Sequence, residues 1–382
     1  MTAAERNSRL TPRGVMRWPL GLHVATVLVL AVAAAFAVLG LLWLALGAPH
    51  VQVAGPLKPG DAYDAIKIAL AVVAGTGGVV ALVVAYRRQH LNETADAREY
   101  EKALIDRFGA AAEQLGADQP AVRMAGAYAM ARLADEWPQE RQMCVDVLCG
   151  YLRMPHAPDP PTDEQTLTAW QRERKVRETV LHLIGAHLRD DAPESWQGYD
   201  LDFAGAVIDV ASFRGARFTG GEIVFAQTLF VAHGRDQVIF DDVDFAEGSH
   251  VYFRLAEFRS GSVRFNRAVF SGGWVTFDSA LFTGAQVDFR DAAFAAGEIL
   301  FEDAEFSDGR VDFSGATFTG STVNFGDHHI PSIYRTVSAA RFSGGAVDFS
   351  QAADFTRPPR FGLQTLPPGL QLPSGTAIAD LP

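Results

Sequence analysis

The sequence predicts a membrane-anchored α plus β-solenoid architecture. Three observations carry that expectation: two long apolar runs near the N-terminus, a middle rich in Ala, Leu, Glu and Arg, and a second half in which phenylalanine recurs every 12 residues. The 382 residues are 48% hydrophobic and 20% charged, which excludes a disordered chain and leaves room for two or three domains. Two cysteines exclude a disulfide framework or a cysteine-built zinc site. Of 26 phenylalanines only Phe36 and Phe108 precede residue 200, so the averages blend unlike segments. The basic residues are nearly all Arg, the lysines being Lys58, Lys67, Lys102 and Lys175.

Residues 1–18 form a basic N-terminus with Arg6, Arg9, Arg13 and Arg17. Two transmembrane helices joined by a short external loop are expected over 19–88. Residues 20–47 are uncharged, more than the roughly 20 apolar residues a helix needs to cross a bilayer. That is also longer than the roughly 7–15 residue apolar core of a secretory signal. The second run, 66–86, is interrupted only by Lys67, whose chain can snorkel to the headgroups. Its small centre, Gly75-Thr76-Gly77-Gly78, suits close helix contact. Arginines flank the pair outside, and Arg is missing from the loop with Lys58, Asp61 and Asp64. The positive-inside rule then makes this a multi-pass protein of the cell membrane with both termini cytoplasmic. Reduced, buried Cys144 and Cys149 fit that compartment.

Residues 89–190 read as a cytoplasmic helical module. Helices are expected over 93–115, from Pro120 to about Ala134, over about 139–152, and from Asp163 as N-cap to about Leu188. The stretch Asp106-Arg107-Phe108, Glu113-Gln114-Leu115-Gly116, Val122-Arg123, Gly126-Ala127-Tyr128-Ala129 and Leu133-Ala134 resembles a segment of bacterial membrane proteins that carry pentapeptide repeats. In that family two membrane helices and this module precede the repeats.

Residues 200–356 carry the period. Phe253, Phe265, Phe277, Phe289, Phe301, Phe313 and Phe325 form one series, and Phe258, Phe270, Phe282, Phe294, Phe306 and Phe318 a second. Val or Ile stands two residues before the first series and Ala two before the second, giving V-x-F-x-x-A-x-F-x-x-G-x. Residues two apart in an extended chain face one side, so Val, Ala and both Phe point inward, and the small residues between them turn the chain. A repeat that cannot bury its own edge must stack into a solenoid. The entrance, Ala206-x-Ile208, Ala211-x-Phe213 and Ala216-x-Phe218, is similar to the pentapeptide-repeat family, which implies a right-handed β-helix. Beyond it, spacings of five and seven alternate, read as a widened corner. One turn then takes two of these repeat units on four sides, or a single unit on fewer. Breaks at 232–236, 247–250 and 327–338 are expected to be loops, and 357–382 a Pro-rich tail beginning with a cap.

From 200 to 355 there are 22 Asp plus Glu and 11 Arg, a net −11 beside −12 for the whole chain. Two readings follow. One is a non-enzymatic scaffold or protein-interaction module, with contacts at Asp241, Asp242, Asp244, Glu302, Asp303 and Glu305. The other, implied by the resemblance, is an acidic DNA mimic that binds a type II topoisomerase. An enzyme using Asp327 and His328 is a third class. His182 and His187 sit five apart on a helix and do not converge. No G-x-S-x-G and no phosphate-binding loop occur, so no catalytic, metal or cofactor site is expected. The partners expected are the lipid bilayer and a protein the sequence does not identify. Self-association is compatible with the pattern, and direct nucleic-acid binding is disfavoured by the charge.

Overall fold

The computed structural model describes residues 59–326, 328–330, 335–363 and 365–376, with scattered helical positions between 26 and 44. The chain divides into two compact units, Met1–Lys102 and Ala103–Pro382. Helix α1, Pro59–Leu115, is continuous for 57 residues. Neither Pro nor Gly occurs over 79–108, so the second apolar run and the charged helix beyond it join as one element. Counted over the described residues alone, no helix is long and apolar enough to cross a membrane. The expected pair of spans is therefore not an element of the observed fold. The first run lies mainly outside the described residues, and the second is part of a longer, mixed helix.

The helical module follows the expected plan. Helix α2, Pro120–Glu136, begins on proline, whose ring presets φ and whose missing N–H leaves no orphan donor. A single 3-10 turn, Pro138–Glu140, leads into α3, Arg141–Leu152. Helix α4, Glu164–His187, is capped by Asp163, which accepts the Thr166 N–H at 2.9 Å. Met130, Leu133, Val145, Leu148, Val180 and Ile184 form the module's core. Cys144 and Cys149 lie within it, and burial pushes their thiols up to about 11 and about 12. Because the thiolate is the nucleophile, native protein near neutral pH should take up little iodoacetamide at either position. Denatured protein should alkylate at both, a contrast that mass spectrometry reads directly.

Among the described residues from Leu201 to Gln371 the strands form a parallel coil, one antiparallel hairpin apart. Phe258 pairs in register with Phe282 and Phe270 with Phe294, so one turn takes two repeat units. The phenylalanines stand in four columns, one per side. Column 1 runs Phe203, Phe225, Phe253, Phe277, Phe301, Phe325, Phe361. Column 2 runs Phe230, Phe258, Phe282, Phe306, Phe342. Column 3 runs Phe213, Phe240, Phe265, Phe289, Phe313, Phe349, and column 4 Phe218, Phe245, Phe270, Phe294, Phe318. Rings stack within a column at 4.3 to 5.5 Å. Columns 1 and 3 meet edge to face across the axis, as Phe277 and Phe289 do at 6.2 Å and 82°. Ala256, Ala268, Ala280 and Ala292, all fully buried, leave the room this needs.

The corners alternate in kind. The five-residue spacing is a tight turn, in which the Ala280 N–H donates to the Phe277 carbonyl at 2.9 Å and Ser279 takes φ 56. The seven-residue spacing is not a second turn, as the widened-corner reading implied. Strands Val269–Thr276, Leu281–Asp288, Ala293–Leu300 and Glu305–Asp312 run through the corner and absorb the extra residues as register shifts. Successive turns approach closely there. A Cβ on Gly297, at φ +86, would lie 2.2 Å from the Gly273 carbonyl oxygen. Gly297→Ala should therefore cost about 2 kcal/mol or more, measurable by chemical denaturation.

Residues 232–236 and 247–249 leave the strands as expected, but His250, placed in the second break, already begins a strand, and the third break carries an antiparallel hairpin, His328–Ile330 with Arg335–Val337. Both ends of the coil are covered. At the first turn α4 packs so closely that a Cβ on Gly185 would lie 2.4 Å from the Ser212 carbonyl oxygen. The Arg217 N–H donates to Leu188 at 2.8 Å, and buried Arg177 donates to Val207 at 3.2 Å. At the far end Phe361 stacks on Phe325 at 5.1 Å and Leu370–Gln371 pairs with Ala346–Asp348. The helical module is thus the cap that removes the coil's first open edge, as the start of the tail removes its last.

Candidate functional site

The polar residues of the coil sort by position relative to Phe. In several turns the polar residue just before Phe supports the tight turn ahead by accepting the N–H two residues on. Asp202 does this for Ala204, Thr276 for Asp278, Asp312 for Ser314, Asn324 for Gly326 and Asp348 for Ser350, at 2.9 to 3.0 Å. Asp288, Asp312 and Asp348 stack in register on one face, each buried, with Arg290 and Arg310 beside them. These turn supports escaped the reading of the sequence, although Asp-Phe, Thr-Phe and Asn-Phe pairs at the period were a signal for them.

The six expected contact residues divide into two groups on different sheets. Asp241, Asp242 and Asp244 follow Phe240 of column 3. Asp241 is fully buried; it accepts from Arg264 at 2.6 Å and from the Asn266 N–H at 3.2 Å, with Arg214 at 3.7 Å. Asp242 is exposed and accepts two bonds from Arg267, at 2.7 and 2.8 Å, and one from Arg214 at 3.2 Å. Those arginines, Arg267 foremost, hold its carboxyl below the usual range. Asp244 accepts from Arg217 at 3.1 Å and from the Ser271 hydroxyl. Glu302, Asp303 and Glu305 follow Phe301 of column 1. Glu302 is buried and accepts from the Asn324 amide at 2.9 Å. Asp303 takes φ 53 in the tight turn, and Glu305 accepts from Arg341 at 3.1 Å. The open surface therefore includes Asp242, Asp244, Asp303 and Glu305, while Asp241 and Glu302 face inward.

The arginines of the coil are mostly engaged in this way. Arg214, Arg217, Arg264, Arg267 and Arg341 hold the acids just named, and Arg254, Arg259, Arg290 and Arg310 hold Asp278, Glu257, Asp288 and Asp348. In the module, His187 bonds the Leu183 carbonyl at 2.7 Å and Asp135 at 3.2 Å and stacks on buried Trp196, which makes it a packing residue. Asp327 and the side chains of His328 and His329 lie outside the described residues. Among the described residues no group of three or more His, Cys, Asp or Glu could hold a metal ion. A cleft of about 590 Å³ opens beside Leu115, Arg123, Tyr151, Met154 and Glu173, and one of about 440 Å³ lies between α4 and the coil beside Tyr128, Lys175, His182 and Arg235. No protein-family model matches the chain, and neither a curated protein nor a solved structure matches it.

Proposed function

We propose that the protein is a non-enzymatic, membrane-tethered interaction module. In this reading it presents a right-handed coil of pentapeptide-repeat type in the cytoplasm. The observation that carries the reading is the rigid stack of four phenylalanine columns, which leaves whole rows of outward residues free to vary without disturbing the core. The rings are spent on that core, so contact falls to the residues between them. Asp242, Asp244, Asp303 and Glu305 are the acidic contacts in this reading. The tether is supported by sequence: residues 68–85 carry no charge and would extend about 27 Å as helix. Val29, Phe36, Leu41, Leu44, Leu70 and Leu82 are also exposed in the described part of this region.

Tagged full chain captured from detergent-solubilised membranes tests the function. A partner recovered with the intact coil and lost when Phe289→Asp breaks it would support the module, and equal recovery with both would contradict it. Recovery of a type II topoisomerase as the main partner would instead favour the DNA mimic, a reading that the many Arg–acid pairs weaken. Hydrolytic activity lost in His328→Ala would contradict the non-enzymatic reading. Protease added outside intact cells should leave the coil uncut. Cleavage there would contradict the proposed topology.

A further inference from the structure

The four outer faces of the coil are not equivalent. Over columns 2, 3 and 4 the outward strand positions hold acid–arginine pairs, such as Glu305 with Arg341, Asp348 with Arg310 and Asp244 with Arg217. The face over column 1 differs beyond its first strand, where Asp202 pairs with Arg153 of the helical module. Its strands stack in parallel register, so one outward row contains Glu222, His250, Trp274 and Glu298, and the next contains Tyr252 and Leu300. Neither row contains Lys or Arg, and among the described residues no basic side chain pairs with Glu222 or Glu298. Both glutamates are exposed; Trp274, Tyr252 and Leu300 are half-buried. Trp274 meets Tyr252 edge-on at 5.3 Å and 81°, and His250 at 6.1 Å.

We infer that this face docks an extended, cationic segment of a partner protein with the pattern cation-x-apolar-x-cation. The inference rests on the interaction-module reading and names its surface and the chemistry of its partner. The spacing carries it. Glu222 and Glu298 stand three strand intervals apart, about 14 Å, with the His250 and Trp274 rings between them. In an extended chain, residues i, i+2 and i+4 share one side, and i to i+4 spans about 13–14 Å. Two cations at i and i+4 thus reach the two glutamates, while an apolar residue at i+2 rests on Trp274. The two acids favour the cations through charge, and half-buried Trp and Tyr, the residue types that dominate contact energies, suit the apolar residue between them.

The test is fluorescence anisotropy on the full chain in detergent at low salt, with the labelled peptide Ser-Lys-Ser-Leu-Ser-Lys-Ser and its Lys-to-Glu counterpart. The lysine peptide should bind saturably and the glutamate peptide should not. Glu222→Lys with Glu298→Lys should weaken binding by about tenfold or more, as should Trp274→Ala, whereas Asp308→Lys, at a corner between other faces, should leave it unchanged. The charge reversal changes only exposed positions, so it remains informative if Trp274→Ala proves unstable. Absence of saturable binding, or equal binding by the charge-reversed protein, would overturn the inference. Partner capture from membranes separates the two readings: capture retained by the charge-reversed protein but lost in Phe289→Asp would overturn this face and keep the interaction module.

Discussion

Phe289→Asp should unfold the coil, or destabilise it by several kcal/mol. Phe289 is fully buried, stacked between Phe265 at 4.8 Å and Phe313 at 4.9 Å, and edge-on to Phe277 and Phe301 at 6.2 and 6.5 Å. Removing a buried aromatic side chain costs about 3–5 kcal/mol before any charge is considered. A carboxylate left in that column has no donor within the stack, and its desolvation adds to the loss. Native domains are stable by only about 5–15 kcal/mol, so the two together approach the whole. Phe289→Leu keeps an apolar side chain and should cost much less. Urea denaturation followed by circular dichroism compares the three proteins, and a neutral Phe289→Asp would contradict the inward columns.

Arg264→Met should cost about 3–5 kcal/mol, the range for breaking a buried pair from one side. Asp241 has no exposed surface, and Arg264 reaches it at 2.6 Å while also donating to Gln237 at 3.0 Å. Without Arg264 the carboxylate keeps the Asn266 N–H at 3.2 Å and a long approach from Arg214 at 3.7 Å. The loss comes from an uncompensated charge more than from a missing contact. Arg264→Met combined with Asp241→Asn should therefore be more stable than Arg264→Met alone, since a neutral amide accepts the same N–H without carrying charge. Thermal melts of the two proteins give the ordering, and the reverse order would show that Asp241 is hydrated rather than buried.

The core was legible in the sequence because alternation and period are read directly: each Phe from Phe253 to Phe325 sits where a period-two strand would point it inward. The length of one turn was not legible. Adjacent repeat units are nearly identical, so pairing Phe253 with Phe265 or with Phe277 satisfies the pattern equally, and only the stacking of Phe253 on Phe277 at 4.7 Å decides it. The wide corners were misread for a related reason, since strand continuing through a bulge and a widened turn have the same length. The capping role of the helices depends on approaches such as Gly185 to Ser212, which no local pattern announces. Among the six acidic residues, position after Phe did not tell burial. Asp241 and Glu302, one place beyond Phe, are inside, yet Arg214, Arg254 and Arg290 at the same place are exposed. Asp241 and Glu302 accept from Arg264 and Asn324 on the neighbouring turn, whereas the long arginine side chains carry their guanidinium groups out to the surface. The column 1 face was overlooked because its outward aromatics, Tyr252 and Trp274, lie nearly a full turn apart along the chain and meet only when turns stack.

The central claim, a four-sided coil with two repeat units per turn, is tested most directly by engineered cross-links. Ser262 and Gln286 are register partners on adjacent parallel strands, with side chains on the same outer face. Their Cα atoms are therefore about 4.8 Å apart, inside the roughly 4.4–6.8 Å that a disulfide spans. Gln286 and Glu298 are one repeat unit apart in the chain and belong to different sheets. Under mild oxidation, with Cys144 and Cys149 buried and unreactive, Ser262→Cys with Gln286→Cys should cross-link and Gln286→Cys with Glu298→Cys should not. The opposite result, a cross-link between positions 286 and 298 and none between 262 and 286, would contradict the two-unit turn and the four columns with it.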